Sequence, residues 1–280
     1  MQLGKTEDNS DPDIPVKPDD WGLVSDNVNR WMELPSVDVK NGFAYVFHRC
    51  TMKGNDVRNY SIYYDAANRI ALWVAYPICA DYIGHMKRTD AWGFDPKIPQ
   101  KYQPELHRGW PWGGTRRDRG HQLPSGSRTG GREMNMQTFY YTNMTAQVSG
   151  LNQNIWAKSE GMVRGYSSTC DTLYVVTGPV LSTKEYPAIE YVKDNAGQNV
   201  ALPKAYFKVL LKYHKKTETY QSIGFWFENR DYDRAQPAIS DLKSVSQIED
   251  LTGFKFFDNL PDEIEKSVKS QFEPSKWGFN

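Results

Sequence analysis

Phe43-Ala44-Tyr45-Val46-Phe47-His48-Arg49, Tyr60-Ser61-Ile62-Tyr63-Tyr64-Asp65 and Ile70-Ala71-Leu72-Trp73-Val74-Ala75-Tyr76 decide the fold class. Each run is rich in β-branched and aromatic side chains, which suit a pleated, half-buried surface. The separators Lys53-Gly54-Asn55-Asp56 and Ala67-Asn68 are short enough to turn the chain straight back, so the three runs form an antiparallel meander. Further strands follow at Thr138-Phe139-Tyr140-Tyr141-Thr142 and Leu173-Tyr174-Val175-Val176-Thr177, with a hairpin pair over 205–211 and 220–227. Residues 148–164 carry a helical pattern, with Leu151, Ile155, Lys158 and Met162 on one stripe and Ser149 as its cap. Residues 244–252 and 261–271 read as short helices. Many strands in succession with few helices argue for an α+β fold and one domain. Between the meander and the next strands, residues 77–117 are rich in Pro, Gly and Trp without a sustained period, and long ordered loops tend to carry function.

Length and charge narrow the function. The chain has 280 residues, enough for one large domain, and 34 bases balance 34 acids. A protein that coats nucleic acid over its whole surface would be basic, so that class is excluded. The balance is uneven along the chain. Residues 1–40 carry a net −5 and residues 241–280 a net −3, whereas residues 107–132 hold Arg108, Arg116, Arg117, Arg119, Arg128 and Arg132 against Asp118 alone. The bases of this island are all arginine, interleaved with Gly, Trp110 and Trp112, and arginine suits two-pronged contact with phosphate. No apolar run approaches the ~18 residues of a membrane helix. Cys50, Cys79 and Cys170 lack metal spacing, and a Cys50–Cys79 pair stays open. The acidic start, with Pro12, Pro15 and Pro18, is no signal peptide. It reads as a linker that follows a removed leader or lipid-attachment segment. The chain is therefore divided into an extended segment, 1–35, and one domain, 36–280, and export to a bacterial periplasm, envelope or exterior is expected.

Arg117-Asp118-Arg119-Gly120-His121-Gln122 is the segment richest in chemistry. In an extended chain Arg119 and His121 share one face and Asp118 takes the other. The arginine can hold a phosphate oxygen while the imidazole takes a proton from water, and the neighbouring positive charge keeps that imidazole unprotonated. Asp118 is expected to tether backbone or a neighbouring arginine. On the helix that follows, Glu160 lies about 80° from Asn152 and Arg164 about 40° further on, so all three can face one wall. An amide oxygen and a carboxylate suit Mg²⁺, which takes few protein oxygens and keeps its water.

Asp118-Arg119-Gly120-His121, followed by Thr142-Asn143-Met144 and by Leu151-Asn152-Gln153 with Trp156, Glu160 and Arg164, resembles the non-specific DNA/RNA endonucleases, the ββα-metal nucleases of the His-Asn type and kin of endonuclease G. The resemblance implies an α+β fold with a central antiparallel sheet flanked by helices, and metal-dependent cleavage of DNA and RNA with little sequence preference. It implies that His121 is the general base, and that Asn152 is the direct ligand of a hydrated Mg²⁺, with Mn²⁺ an alternative. Glu160 would hold metal-bound waters, Arg119 and Arg164 the phosphate, and Asn143 would position the hairpin. Arg88, in the loop ending Asp95-Pro96, is the upstream arginine such nucleases need. Arg88, Arg117 and Arg128 are the substrate-binding candidates. A dimer stays open. Two rivals stand beside this reading: a catalytically inactive nucleic-acid-binding protein on a nuclease fold, and a nuclease toxin module with an immunity or inhibitor partner.

Overall fold

The computed structural model describes residues 31–36, 42–111 and 113–280. Most of the expected linker, and Trp112, lie outside these residues. The packed part of the chain begins earlier than position 36. Glu33 and Leu34 are buried, the Glu33 carboxylate accepts from Arg58 Nε at 2.6 Å, and Trp31 meets Phe47 edge-on at 5.6 Å.

The meander forms as expected, from β1 (Phe43–Met52), β2 (Asn55–Asp65) and β3 (Ile70–Ile78). Val46 pairs with Ile62 and Tyr63 with Trp73. The β1–β2 turn holds Lys53 and Gly54 at positive φ, a conformation that glycine adopts without cost. The chain continues through β4 (Arg117–His121), α1 (Arg132–Gln137), β5 (Met144–Val148), α2 (Ser149–Leu151), a π-helical turn (Asn152–Trp156) and α3 (Ala157–Ser167). Then come β6 (Thr172–Val180), β7 (Glu190–Lys193), β8 (Asn199–Leu202), β9 (Ala205–His214) and β10 (Thr219–Glu228). β11 (Leu242–Lys243), α4 (Val245–Thr252) and α5 (Asp262–Ser270) complete it.

Seven strands make one antiparallel sheet in the order β1-β2-β3-β6-β9-β10-β11. Its strands are apolar on both faces, because both faces are covered. Val46, Ile62, Val74, Tyr206 and Leu210 pack on one side with Leu151, Ile155 and Trp156 of the helix that follows the β4–β5 hairpin. Tyr45, Trp73, Phe207 and Val209 pack on the other with Val245, Ile248 and Val268 of α4 and α5. The hairpin and its helix therefore lie against a rigid floor, the condition for a precise site.

Three expectations need correction. The strand placed at residues 138–142 starts later, at Met144, because Tyr141–Asn143 form a 3₁₀ turn. Ser149 does not cap the helix; it begins it, and its hydroxyl donates to Asp118. The helix is not uniform either, since its turn at Asn152–Trp156 is π-helical. Wider turns of this kind often mark functional positions, and this one changes the angular spacing that a constant 100° would give. Cys50 and Cys79 are free thiols, although they share a small apolar cluster with Tyr82 and Met134.

Candidate active site

The β4–β5 hairpin pairs Asp118 with Gln147 and Gly120 with Thr145. Gly120 is required there, since a Cβ would come within 2.5 Å of both Cβ and Oε1 of the buried Gln147. Arg119 and His121 line a cavity of about 650 Å³ between the hairpin, the helix and the loop carrying Arg88, and Asp118, expected on the other face, lines it too because it reaches across to the helix. Asp118 tethers side chains rather than backbone. Its Oδ1 accepts from Ser149 Oγ at 2.8 Å, and its Oδ2 accepts from Asn152 Nδ2 at 2.9 Å and from Gln153 Nε2 at 2.7 Å. One carboxylate thus fixes the helix start to the hairpin and, by holding the Asn152 amide nitrogen, leaves the Asn152 carbonyl oxygen free for the cavity.

His121 is nine-tenths buried, and its Nε2 has no hydrogen-bond partner. Burial, then the charges of Arg88 and Arg119, push its pKa from the usual 6.5 down to about 3, against a backbone hydrogen bond at Arg119. The free imidazole is therefore a neutral acceptor at physiological pH. A phosphate entering between the arginines would offset their charge and make the imidazole more basic as substrate arrives. The same depression has a thermodynamic signature. Below pH 6.5 the unfolded chain protonates this histidine and the folded chain does not, so stability falls as pH drops from 6.5 toward 3. His121→Ala should flatten that slope by about 1.4 kcal/mol per pH unit, measured by denaturant unfolding across the window. An unchanged slope would show that the imidazole is free to protonate in the fold.

The opposite wall is the helix. Asn152, Glu160 and Arg164 all line the cavity, and the Trp156 indole donates to the His121 carbonyl at 3.3 Å. Burial raises the Glu160 pKa, opposed by Lys208 and Arg164. Lys208 of β9 lies beneath this wall, almost wholly buried, with Nζ 3.5 Å from the Trp156 ring centroid, and burial lowers its pKa. Among the described residues, no cluster of three or more His, Cys, Asp or Glu side chains could hold a metal by itself. An amide oxygen oriented by Asp118, with a carboxylate on the same wall, fits a hard cation that keeps most of its water.

The arginines divide. Arg88 lines the cavity, with Nε 2.6 Å from Asp90 Oδ1 and Nη1 3.3 Å from Ser125 Oγ. Arg119, Arg164 and Arg117 line it as well. Arg128 does not, which corrects its reading as a substrate-binding residue. It is fully buried, and its guanidinium donates to Asn59 Oδ1 and to the carbonyls of Asn59, Pro77 and Ser127. Asn143 is also fully buried. Its amide exchanges hydrogen bonds with the Leu123 backbone and donates to the Thr138 carbonyl, so it braces the hairpin from inside the fold and does not line the cavity. Asp95, at the end of the Arg88 loop, lies 2.9 Å from His48 Nε2 and accepts from Thr142 Oγ1, tying that loop to the Asn143 turn.

Trp92 and Lys208 have no role in the motif-based reading. Trp92 lies in the loop between Arg88 and Asp95 and stacks on Arg119 at 3.5 Å from guanidinium carbon to ring centroid. Lys208 carries a partial sequence signal: it stands between Tyr206 and Leu210 in the apolar half of β9, on the same face as Lys212 and His214.

Residues 46–263 match the family model described as DNA/RNA non-specific endonuclease. Nuclease C1 of Cunninghamella echinulata var. echinulata is 31% identical over 209 residues, covering 72% of this chain and 81% of that protein. Mitochondrial endonuclease G of Bos taurus is 29% identical over 213 residues, 72% of this chain and 68% of its own. A crystal structure of the EndoG/EndoGI complex superposes with a TM-score of 0.65 at 21% identity, covering 87% of this chain and 96% of that one, which shows the shared fold. The class is thus that of the nucleases, enzymes that hydrolyse phosphodiester bonds. Within it, the chain belongs to the DNA/RNA non-specific endonuclease family.

Proposed function

We propose that this protein is an endonuclease that cleaves DNA and RNA in the cavity between hairpin and helix, with His121 as general base and a hydrated Mg²⁺ held by Asn152. The observation that carries the reading is the buried, neutral, unpartnered Nε2 of His121 beside Arg119, which has no carboxylate partner among the described residues, and Arg88, which is paired with Asp90. His121 takes a proton from the attacking water as the new P–O bond forms and the bond to the 3′ oxygen breaks. Arg119, Arg88 and Arg164 oppose the charge that builds on the phosphoryl oxygens. When bound, Mg²⁺ supplies Lewis-acid stabilisation of the phosphoryl and leaving oxygens. Asn152 and Glu160 would hold the ion and its water, and Mn²⁺ is the alternative ion. Arg117 adds a contact to the flanking backbone. Little base preference is expected, since the arginines lining the cavity suit the phosphate backbone, which carries no sequence information.

Intact His121, Asn152 and Glu160 count against a binding-only protein on this fold. An inhibitor or immunity partner fits the same reading without changing it. We further propose that residues 36–280 form one domain, to which Glu33 and Leu34 add buried contacts; some relatives are named as mitochondrial.

Digestion of plasmid DNA and of RNA, with end analysis of the products, tests the proposal. The mechanism gives 5′-phosphate and 3′-hydroxyl ends on both. Cyclic 2′,3′-phosphate ends on RNA with no cleavage of DNA would refute it. Glu160→Gln and Arg164→Lys probe the helix wall. Each should slow turnover by about tenfold or more at unchanged Tm, the second because an ammonium loses the fork that grips two phosphate oxygens. Unaltered nicking by both variants would leave that wall as ordinary polar surface.

A further inference from the structure

Arg119 has an unusual set of partners. It is half-buried, burial and the nearby Arg88 lower its pKa, and its one side-chain hydrogen bond among the described residues is from Nη1 to the Leu106 carbonyl at 3.0 Å. No carboxylate among the described residues lies within ion-pairing distance of it. Its guanidinium is covered instead by the Trp92 ring. The same indole is tilted against the His121 imidazole at 5.5 Å and meets Phe139 edge-on at 4.9 Å, while Arg88 sits 4.6 Å over Phe139 and 5.6 Å over Trp92. Trp92 cannot drift. The next residue, Gly93, bridges to Tyr140, and its carbonyl accepts from Tyr141 N at 2.9 Å.

We propose that Trp92 is a positioning residue that holds the Arg119 guanidinium and the His121 imidazole at the distance and angle a scissile phosphate requires. The inference rests on the reading of Arg119 and His121 given above. Its physical basis is that an aromatic face attracts a cation without cancelling its charge. A carboxylate in the same place would fix Arg119 equally well but would neutralise it before substrate arrived. An indole leaves the full positive charge available for the phosphate and also excludes water from the buried side of His121.

The test compares wild type with Trp92→Phe, Trp92→Leu and a tetrafluorotryptophan incorporated at position 92 alone. It reads kcat and KM on a defined oligonucleotide, together with Tm. Fluorination keeps the ring's size and weakens its attraction for a cation, so a purely structural role would not respond to it. Trp92→Leu should lower kcat on the order of tenfold, more than it raises KM, and Trp92→Phe should recover part of the loss. The fluorinated protein should lose several-fold in kcat at wild-type Tm. In an Arg119→Ala background, the effect of changing Trp92 should largely vanish. Wild-type kcat in the fluorinated protein would overturn the proposal, as would an undiminished Trp92→Leu effect without Arg119. Should Trp92→Leu fail to fold, the fluorinated protein decides alone. His121→Ala in the same assay separates the two levels: its full activity would reject the site assignment, whereas its inactivity beside an unaffected Trp92 series rejects only the positioning role.

Discussion

His121→Ala is expected to slow cleavage of plasmid DNA by about 10²- to 10⁴-fold, the usual consequence of losing a positioned general base. The side chain is well placed for so large an effect. It sits on a strand that cannot shift, because Gly120 is packed against Gln147 and the Trp156 indole holds the His121 carbonyl. Its free nitrogen has no hydrogen-bond partner, and burial, then the charges of Arg88 and Arg119, keep it unprotonated. The variant should fold, since the Nε2 it removes has no hydrogen-bond partner and the backbone pairing of β4 with β5 stays in place. Substrate binding should survive, because the arginines remain. Measured as kcat and KM with Tm alongside, the loss should fall in kcat. Activity within a few-fold of wild type at equal Tm would remove His121 from the chemistry.

Arg128→Met should have the largest effect on stability, about 3–5 kcal/mol, or a fall in Tm of roughly 10 °C. The guanidinium is the shared donor for four buried acceptors on β2, β3 and the turn before α1, and its plane lies 4.2 Å from the Tyr82 ring centroid. Methionine matches the length of the stem but leaves those acceptors unsatisfied in a dry interior. A substrate-binding arginine would behave in the opposite way, raising KM at unchanged Tm. Thermal unfolding and steady-state kinetics on this one variant therefore separate the buried brace from the phosphate contact that composition suggested.

That contrast shows where the sequence was informative. The meander, the hairpin pair and the two C-terminal helices were legible because their burial is periodic, and periodicity is local. That Arg119 and His121 both reach the cavity was legible for the same reason: they are two apart, and a strand alternates. Arg128 belongs to the same basic island as Arg119, and nothing local distinguishes them. What separates them is whether the third dimension brings carbonyls or open space to the guanidinium. The π-helical turn at Asn152–Trp156 was likewise hidden, since a wheel at constant pitch cannot register it. Asp118 was expected to be structural, but its three side-chain partners are 31, 34 and 35 residues away and meet it only after the hairpin closes. Trp92 acts across the cavity from a loop without a period, so its stack on Arg119 had no sequence signature beyond the presence of an aromatic beside an arginine.

Cleavage of supercoiled plasmid by the purified protein, first with Mg²⁺, then with excess EDTA, then with Mg²⁺ restored, tests the central claim most directly. A site built from one oriented amide oxygen, a carboxylate and a neutral imidazole should cleave in the first condition, stop in the second and recover in the third. Asn152→Ala should stay nearly inactive in all three. Undiminished cleavage in EDTA, or wild-type activity from Asn152→Ala, would contradict the account.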